Sequence, residues 1–120
     1  MKIAITAQGE QMQSPVDPRF GRAKWFVVVD TESGDFEAVD NKKNFDAAQG
    51  AGIQAGRNVA ELGVKAVITG NVGPKAFATL KAAGIDVHIG ARGTVQEALE
   101  QFKAGELTST QNANVEGHWV

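Results

Sequence analysis

Cysteine is absent from all 120 positions. That excludes disulfides, thiolate nucleophiles and every metal site built on protein sulfur of that kind. A basic surplus is missing as well. The formal net charge of −2 removes the global positive field that drives non-specific nucleic-acid binding through phosphate neutralisation. No stretch approaches the ~18 apolar residues of a membrane span, and the opening MKIAITAQGE carries one lysine and a very short apolar run, unlike a secretory signal. These absences predict a cytoplasmic protein with neither nucleic acid nor membrane as a partner.

What is present is the composition of an ordinary globular domain, 42% hydrophobic and 22% charged, of a length that fits one core. Lys2 to Ala7 alternates as a short strand. Gln8 to Arg22, with Gly9, Pro15, Pro18 and Gly21, shows no apolar period and reads as a long loop. Trp25 to Val29 and Phe36 to Val39, separated by the turn-rich Thr31 to Asp35, form a hairpin. A polar connection from Asn41 to Asp46 leads to Ala48, Ala51, Ala55, Val59 and Leu62 at helical spacing, closed by Gly63.

Two βα units follow. The first has a Val64 to Thr69 strand, a Gly70 to Pro74 turn and a helix carrying Ala76, Phe77, Leu80 and Ala83, with Pro74 suited to its first turn. The second has an Ile85 to Ile89 strand, a Gly90 to Gly93 turn, and a helix that opens on a Thr94/Glu97 capping box and presents Val95, Ala98, Leu99 and Phe102 as one stripe. The order β-β-β-α-β-α-β-α gives an α/β fold with a mixed five-stranded sheet. Residues 1–105 make the domain, and the polar, unpatterned 106–120 read as a mobile tail. If the first strand lies beside the fourth, a topological switch point opens at their carboxyl ends.

Three turns meet at that edge, and they hold the residues suited to chemistry. The first contains Asp17-Pro18-Arg19-Phe20-Gly21-Arg22-Ala23, the second Gly70-Asn71-Val72-Gly73-Pro74-Lys75, the third Gly90-Ala91-Arg92-Gly93. Glycines let a ligand approach the backbone, helix N-termini offer N–H groups, and Arg19, Arg22, Lys75 and Arg92 add positive charge. Either glycine turn alone reads as a turn, and its cations as solvated surface. Converging, the three make an anion-binding edge on an acidic protein.

Together with the strand MKIAITAQG and the segment Thr69-Gly70-Asn71-Val72-Gly73, the Arg19-Phe20-Gly21-Arg22 loop resembles the dinitrogenase iron–molybdenum cofactor biosynthesis family over roughly residues 1 to 105. The resemblance implies a ribonuclease-H-like, three-layer α/β/α fold and non-covalent carriage of an anionic metal–sulfur cluster or cofactor precursor. With no cysteine, the chain is similar to family members that hold a molybdenum–copper sulfide cluster without protein thiolates; an iron–molybdenum–sulfur cargo is the alternative. A protein partner for delivery is implied too. The candidate cluster-binding residues are Gly9, Arg19, Phe20, Gly21, Arg22, Gly70, Asn71, Val72, Gly73, His88, Gly90 and Arg92.

Other signals carry less. His88 ends a predicted strand at this edge, where it can hydrogen-bond a sulfide or ligate a metal, yet a lone histidine is more often structural. His118 lies in the tail. Met12 offers a soft thioether, and without partners it reads as an apolar contact. Gly50-Ala51-Gly52-Ile53-Gln54-Ala55 matches a dinucleotide fingerprint formally, but it follows no strand and lacks the acidic ribose partner. The second turn is not a phosphate-binding P-loop. A nuclease needs metal-holding carboxylates on its central strands, which Lys2 to Ala7 lacks, and the loops hold no nucleophile–base pair. The reading is a non-enzymatic cluster binder, the alternative a cofactor-free regulatory or protein-interaction domain using the same cleft.

Overall fold

The computed structural model describes residues 1–42 and 50–113. Among the described residues, six strands and three helices are ordered β1 (Lys2–Ala7), β2 (Trp25–Asp30), β3 (Phe36–Asp40), α1 (Ala51–Glu61), β4 (Ala66–Ile68), α2 (Pro74–Ala82), β5 (Asp86–Ile89), α3 (Val95–Lys103) and β6 (Thr108–Thr110). The sheet order is β3-β2-β1-β4-β5-β6. β1 runs antiparallel to β2 and parallel to β4, which is parallel to β5. From β1 the chain therefore builds outward to one side through a hairpin, then crosses over to build the other side. The reversal between β1 and β4 is the expected switch point.

β1 is buried on both faces despite its period-2 pattern, because Ala4 and Thr6, small enough for the second face, are covered there too. Ile3, Ile5 and Ala7 enter one core with Val27, Val29, Ile68 and the α3 residues Val95, Ala98 and Leu99. Ala4 enters the other with Phe26, Val67, Val87 and the helical Ala55, Val59, Ala76 and Leu80. A strand buried on both faces needs apolar residues at both parities, and the sheet accordingly has α1 and α2 on one side and α3 on the other. The two helices on one side meet through small residues. A Cβ on Gly52 would lie 3.1 Å from Ala76 Cβ, and one on Gly56 2.9 Å from Thr79 Cγ2. The glycines resembling a dinucleotide fingerprint thus serve helix packing, with Gly50 as the left-handed N-cap of α1.

The sheet has six strands rather than the five expected. β6 pairs antiparallel with β5, Val87 opposite Thr110 and Ile89 opposite Thr108. An edge strand whose Thr108 and Ser109 are both exposed needs no apolar alternation, so periodicity carries no trace of it. β6 lies within the segment expected as a tail, of which residues 114–120, His118 included, fall outside the described residues. Ala48 and most of the polar connection ahead of α1 do too.

Candidate functional site

β1, β4 and β5 are parallel, so the segments leaving their carboxyl ends emerge together, and backbone hydrogen bonds fasten them to one another. The first half of the long loop joins the third turn: Val16 N–H donates to Gly93 O at 2.9 Å and Val95 N–H to Ser14 O at 2.9 Å. Its second half joins the second turn, where Phe20 N–H donates to Asn71 O at 3.3 Å and Asn71 Nδ2 donates to Pro18 O at 3.1 Å. The second and third turns are linked in turn, Gly90 N–H donating to Gly70 O at 3.1 Å and Ala91 N–H to Thr69 O at 3.2 Å. The long loop is thereby fastened along its length, much as a strand is.

Two glycines are demanded by this stacking. A Cβ on Gly70 would lie 2.8 Å from Pro18 Cα and 2.9 Å from its carbonyl oxygen. One on Gly21 would lie 2.8 Å from Gly52 Cα and 2.9 Å from Gly52 N. The arginine loop therefore rests directly on the first turn of α1. The N-caps of α1 and α2, Gly50 and Gly73, make no side-chain cap hydrogen bond, and the loop bearing Arg19 and Arg22 approaches the start of α1 at Gly52. α3 differs, because Thr94 Oγ1 accepts from Glu97 N–H and Glu97 Oε1 accepts from Thr94 N–H.

The predicted residues separate into three groups, with His88 apart. Arg19 and Arg92 are exposed, Arg22 is half-buried, and all three stand on the joined turns. Phe20 and Val72 are fully buried; the Phe20 ring packs on Phe26 with centroids 5.5 Å apart, so these anchor the loops in the core. Gly9, Gly21, Gly70, Asn71, Gly73 and Gly90 shape and connect the backbone. In the third turn the N–H groups of Gly90 and Ala91 are occupied as above, and that of Arg92 donates to Gln101 Oε1 at 3.3 Å. His88 is packed edge-on against Phe102 of α3, centroids 5.0 Å apart, and its burial lowers the imidazole pKa below the ordinary 6.5. Met12 is buried in the α3-side core.

Beneath the arginine loop lies a polar network that the sequence does not single out. Asp17 N–H donates to Thr6 O at 2.9 Å, and Thr6 Oγ1 reaches Asp17 O at 2.7 Å and Thr69 Oγ1 at 2.9 Å. The Asp17 carboxylate accepts from Arg19 N–H at 3.0 Å and stands 3.8 Å from Arg19 Nε. Burial raises its pKa above 3.8, against the opposing pull of that N–H and of the Arg19 and Lys24 charges. Asn41 Nδ2 donates to Gly21 O at 3.2 Å and Ala23 O at 2.7 Å, closing the loop's far end. The available signal was Thr6 and Thr69, two hydroxyls at the carboxyl ends of otherwise apolar strands.

The model of the family described as "dinitrogenase iron–molybdenum cofactor" matches residues 1–105. The chain belongs to this family. The apo form of the orange protein from Desulfovibrio gigas is similar to it at 43% identity and a TM-score of 0.92, covering 95% of this chain and 96% of that one. A Thermotoga protein described as a putative NifB protein is similar at 40% identity and a TM-score of 0.84, covering 97% and 98%. An uncharacterised protein of Methanocaldococcus jannaschii is 32% identical over 110 residues, 89% of each chain. Against the cofactor in the family's name, the joined turns carry Arg19, Arg22 and Arg92. Among the described residues no group of three or more His, Cys, Asp or Glu is placed to hold a metal ion. Such a donor set fits an anion recognised through its outer atoms, not a bare cation.

Proposed function

We propose that the cleft binds and carries, without covalent bonds, an anionic metal–sulfur cluster or cofactor precursor containing molybdenum, of the molybdenum–copper sulfide or iron–molybdenum–sulfur type, and that the protein has no catalytic residues of its own. The observation that supports this reading is the mutual fastening of the three turns that bear Arg19, Arg22 and Arg92. Sulfide ligands brought by the cargo replace the cysteines the chain lacks. The strand order, with β2 antiparallel beside an otherwise parallel centre, supports the ribonuclease-H-like reading. Family membership supports the cargo class, and a relative known in an apo form supports a ligand-binding role. Residues 1–105 are the binding unit, the setting is cytoplasmic, and a partner protein receives the cargo.

A multiply charged thiometallate in a partly desolvated cleft gains about 1.5 to 3 kcal/mol from each charge-assisted hydrogen bond. Replacing Arg19 or Arg22 by Ala therefore weakens retention by on the order of tenfold to a hundredfold, more at high salt. Replacement by Lys restores part of it, since the charge returns without the planar fork. Apo-protein is titrated with preformed tetrathiomolybdate, with and without copper(I), and followed by visible absorption and backbone amide shifts. Undiminished binding by the double alanine variant, or shifts remote from the three turns, refutes the cleft. A cofactor-free interaction domain would acquire no bound colour at all.

A further inference from the structure

Asp17 is the only charged side chain buried among the described residues, and it lies against Arg19 of the turns proposed to bind an anion. Its structural duty is plain: the carboxylate accepts from Arg19 N–H at 3.0 Å and closes the turn that presents Arg19. An asparagine oxygen closes the same turn without the cost of desolvating a charge. The negative charge is thus surplus to the fold, and burial already works against it. It faces Arg19 Nε at 3.8 Å, with Lys24 as the other cation near enough to act on it. Charges held in a partly dry site are felt at a distance, so a carboxylate there opposes any anion that the neighbouring arginine attracts.

We propose that Asp17 is a positioning residue that acts in two ways. Its oxygen fixes the backbone of Arg19, while its charge competes with the cargo for the Arg19 guanidinium and keeps a carried cluster exchangeable. A site that only stores an anion is better served by the neutral amide. A carrier has to let go, and a built-in counter-charge speeds release without altering the shape that recognises the cargo. This inference rests on the proposed cleft.

The test compares tetrathiomolybdate binding by the parent, Asp17→Asn, Asp17→Ala and Arg19→Ala proteins at about pH 7.5 and at several salt concentrations, with dissociation followed by stopped-flow dilution. Asp17→Asn is expected to retain the parent's thermal midpoint or exceed it, to bind on the order of tenfold tighter chiefly through slower dissociation, and to steepen the salt dependence. Asp17→Ala, losing the turn acceptor, is expected to shift the Arg19 amide resonance and to gain less affinity than Asp17→Asn. Should Asp17→Asn fail to fold, Asp17→Ser, whose hydroxyl closes the same turn uncharged, is read by the same criteria. Equal or weaker binding by the folded neutral variant, or an unchanged dissociation rate, overturns the inference. If Arg19→Ala weakens binding while Asp17→Asn changes nothing, the cleft stands and only the role of Asp17 falls. Unchanged binding by Arg19→Ala removes the cleft reading itself.

Discussion

Replacing Gly70 by Ala tests whether the contact between the first two turns builds the cleft. The new Cβ would lie 2.8 Å from Pro18 Cα, whereas carbon atoms rest at about 3.5 to 4.0 Å. Both partners are backbone, so no side chain can swing aside. The arginine loop has to retreat by roughly 0.7 Å or more. That retreat strains the Asn71 Nδ2 bond to Pro18 O at 3.1 Å and the Phe20 N–H bond to Asn71 O, already long at 3.3 Å. Overpacking costs about 1 to 3 kcal/mol and each weakened hydrogen bond up to about 1 kcal/mol, for a total near ~3 kcal/mol. A fall in thermal midpoint on the order of 10 to 15 °C follows, with a weaker grip on tetrathiomolybdate as Arg19 moves. Gly34→Ala is the control. Gly34 has φ +80° and nothing within 4 Å of a Cβ, so it bears only the conformational cost of about 1 kcal/mol and leaves anion binding untouched. Urea unfolding and anion titration of both variants decide the matter. A Gly70→Ala protein as stable as the parent would show that the close approach does not hold the loops.

Three further outcomes are expected. Thr94→Ala removes one arm of the α3 capping box and should cost about 0.5 to 2 kcal/mol in urea unfolding, while thiometallate affinity stays within about twofold; a large loss of affinity would instead bring the α3 N-terminus into the site. His88, held below 6.5 by burial, lets the unfolded chain bind its proton first, so its stabilising contribution is present above about pH 6.5 and lost as pH falls toward the lowered native value. The urea midpoint should therefore drop between about pH 7.5 and 5.5, and less so in His88→Gln; an identical pH profile in the variant would contradict the burial argument. Ending the chain after Gly105 removes β6 and leaves β5 as the sheet edge, which should lower stability by about 1 to 3 kcal/mol yet preserve a single cooperative transition, with loss of that transition in calorimetry as the contrary result.

Much of the fold is legible because its elements are strongly patterned. β1 reads as an alternating strand through Ile3 and Ile5, and α3 announces itself through Thr94, Glu97 and its stripe. β6 escapes the same reading, since its stability comes from hydrogen bonds to β5 and not from burial. At the site, Arg19 and Arg22 are legible as charge on a glycine-bearing loop. Phe20 and Val72 belong to the same motifs, yet both are core residues, and nothing in a local string distinguishes an anchor from a ligand contact. Asp17 is visible as part of the motif without any sign that it is buried.

The chain alone determines the order of elements as far as α3, the absence of thiolate chemistry and the gathering of glycine and arginine in segments that follow parallel strands, because those follow from local periodicity and composition. Which N–H groups remain for a ligand is decided only in three dimensions. Hydrogen bonds between turns far apart in sequence occupy the N–H groups of Gly90 and Ala91, while α1 and α2 keep their first turns without side-chain caps. The burial of Asp17 beneath Arg19 likewise exists only once β1 and β4 lie side by side and bring Thr6 to Thr69, since burial and pairing are properties of packed neighbours and not of any residue's own type.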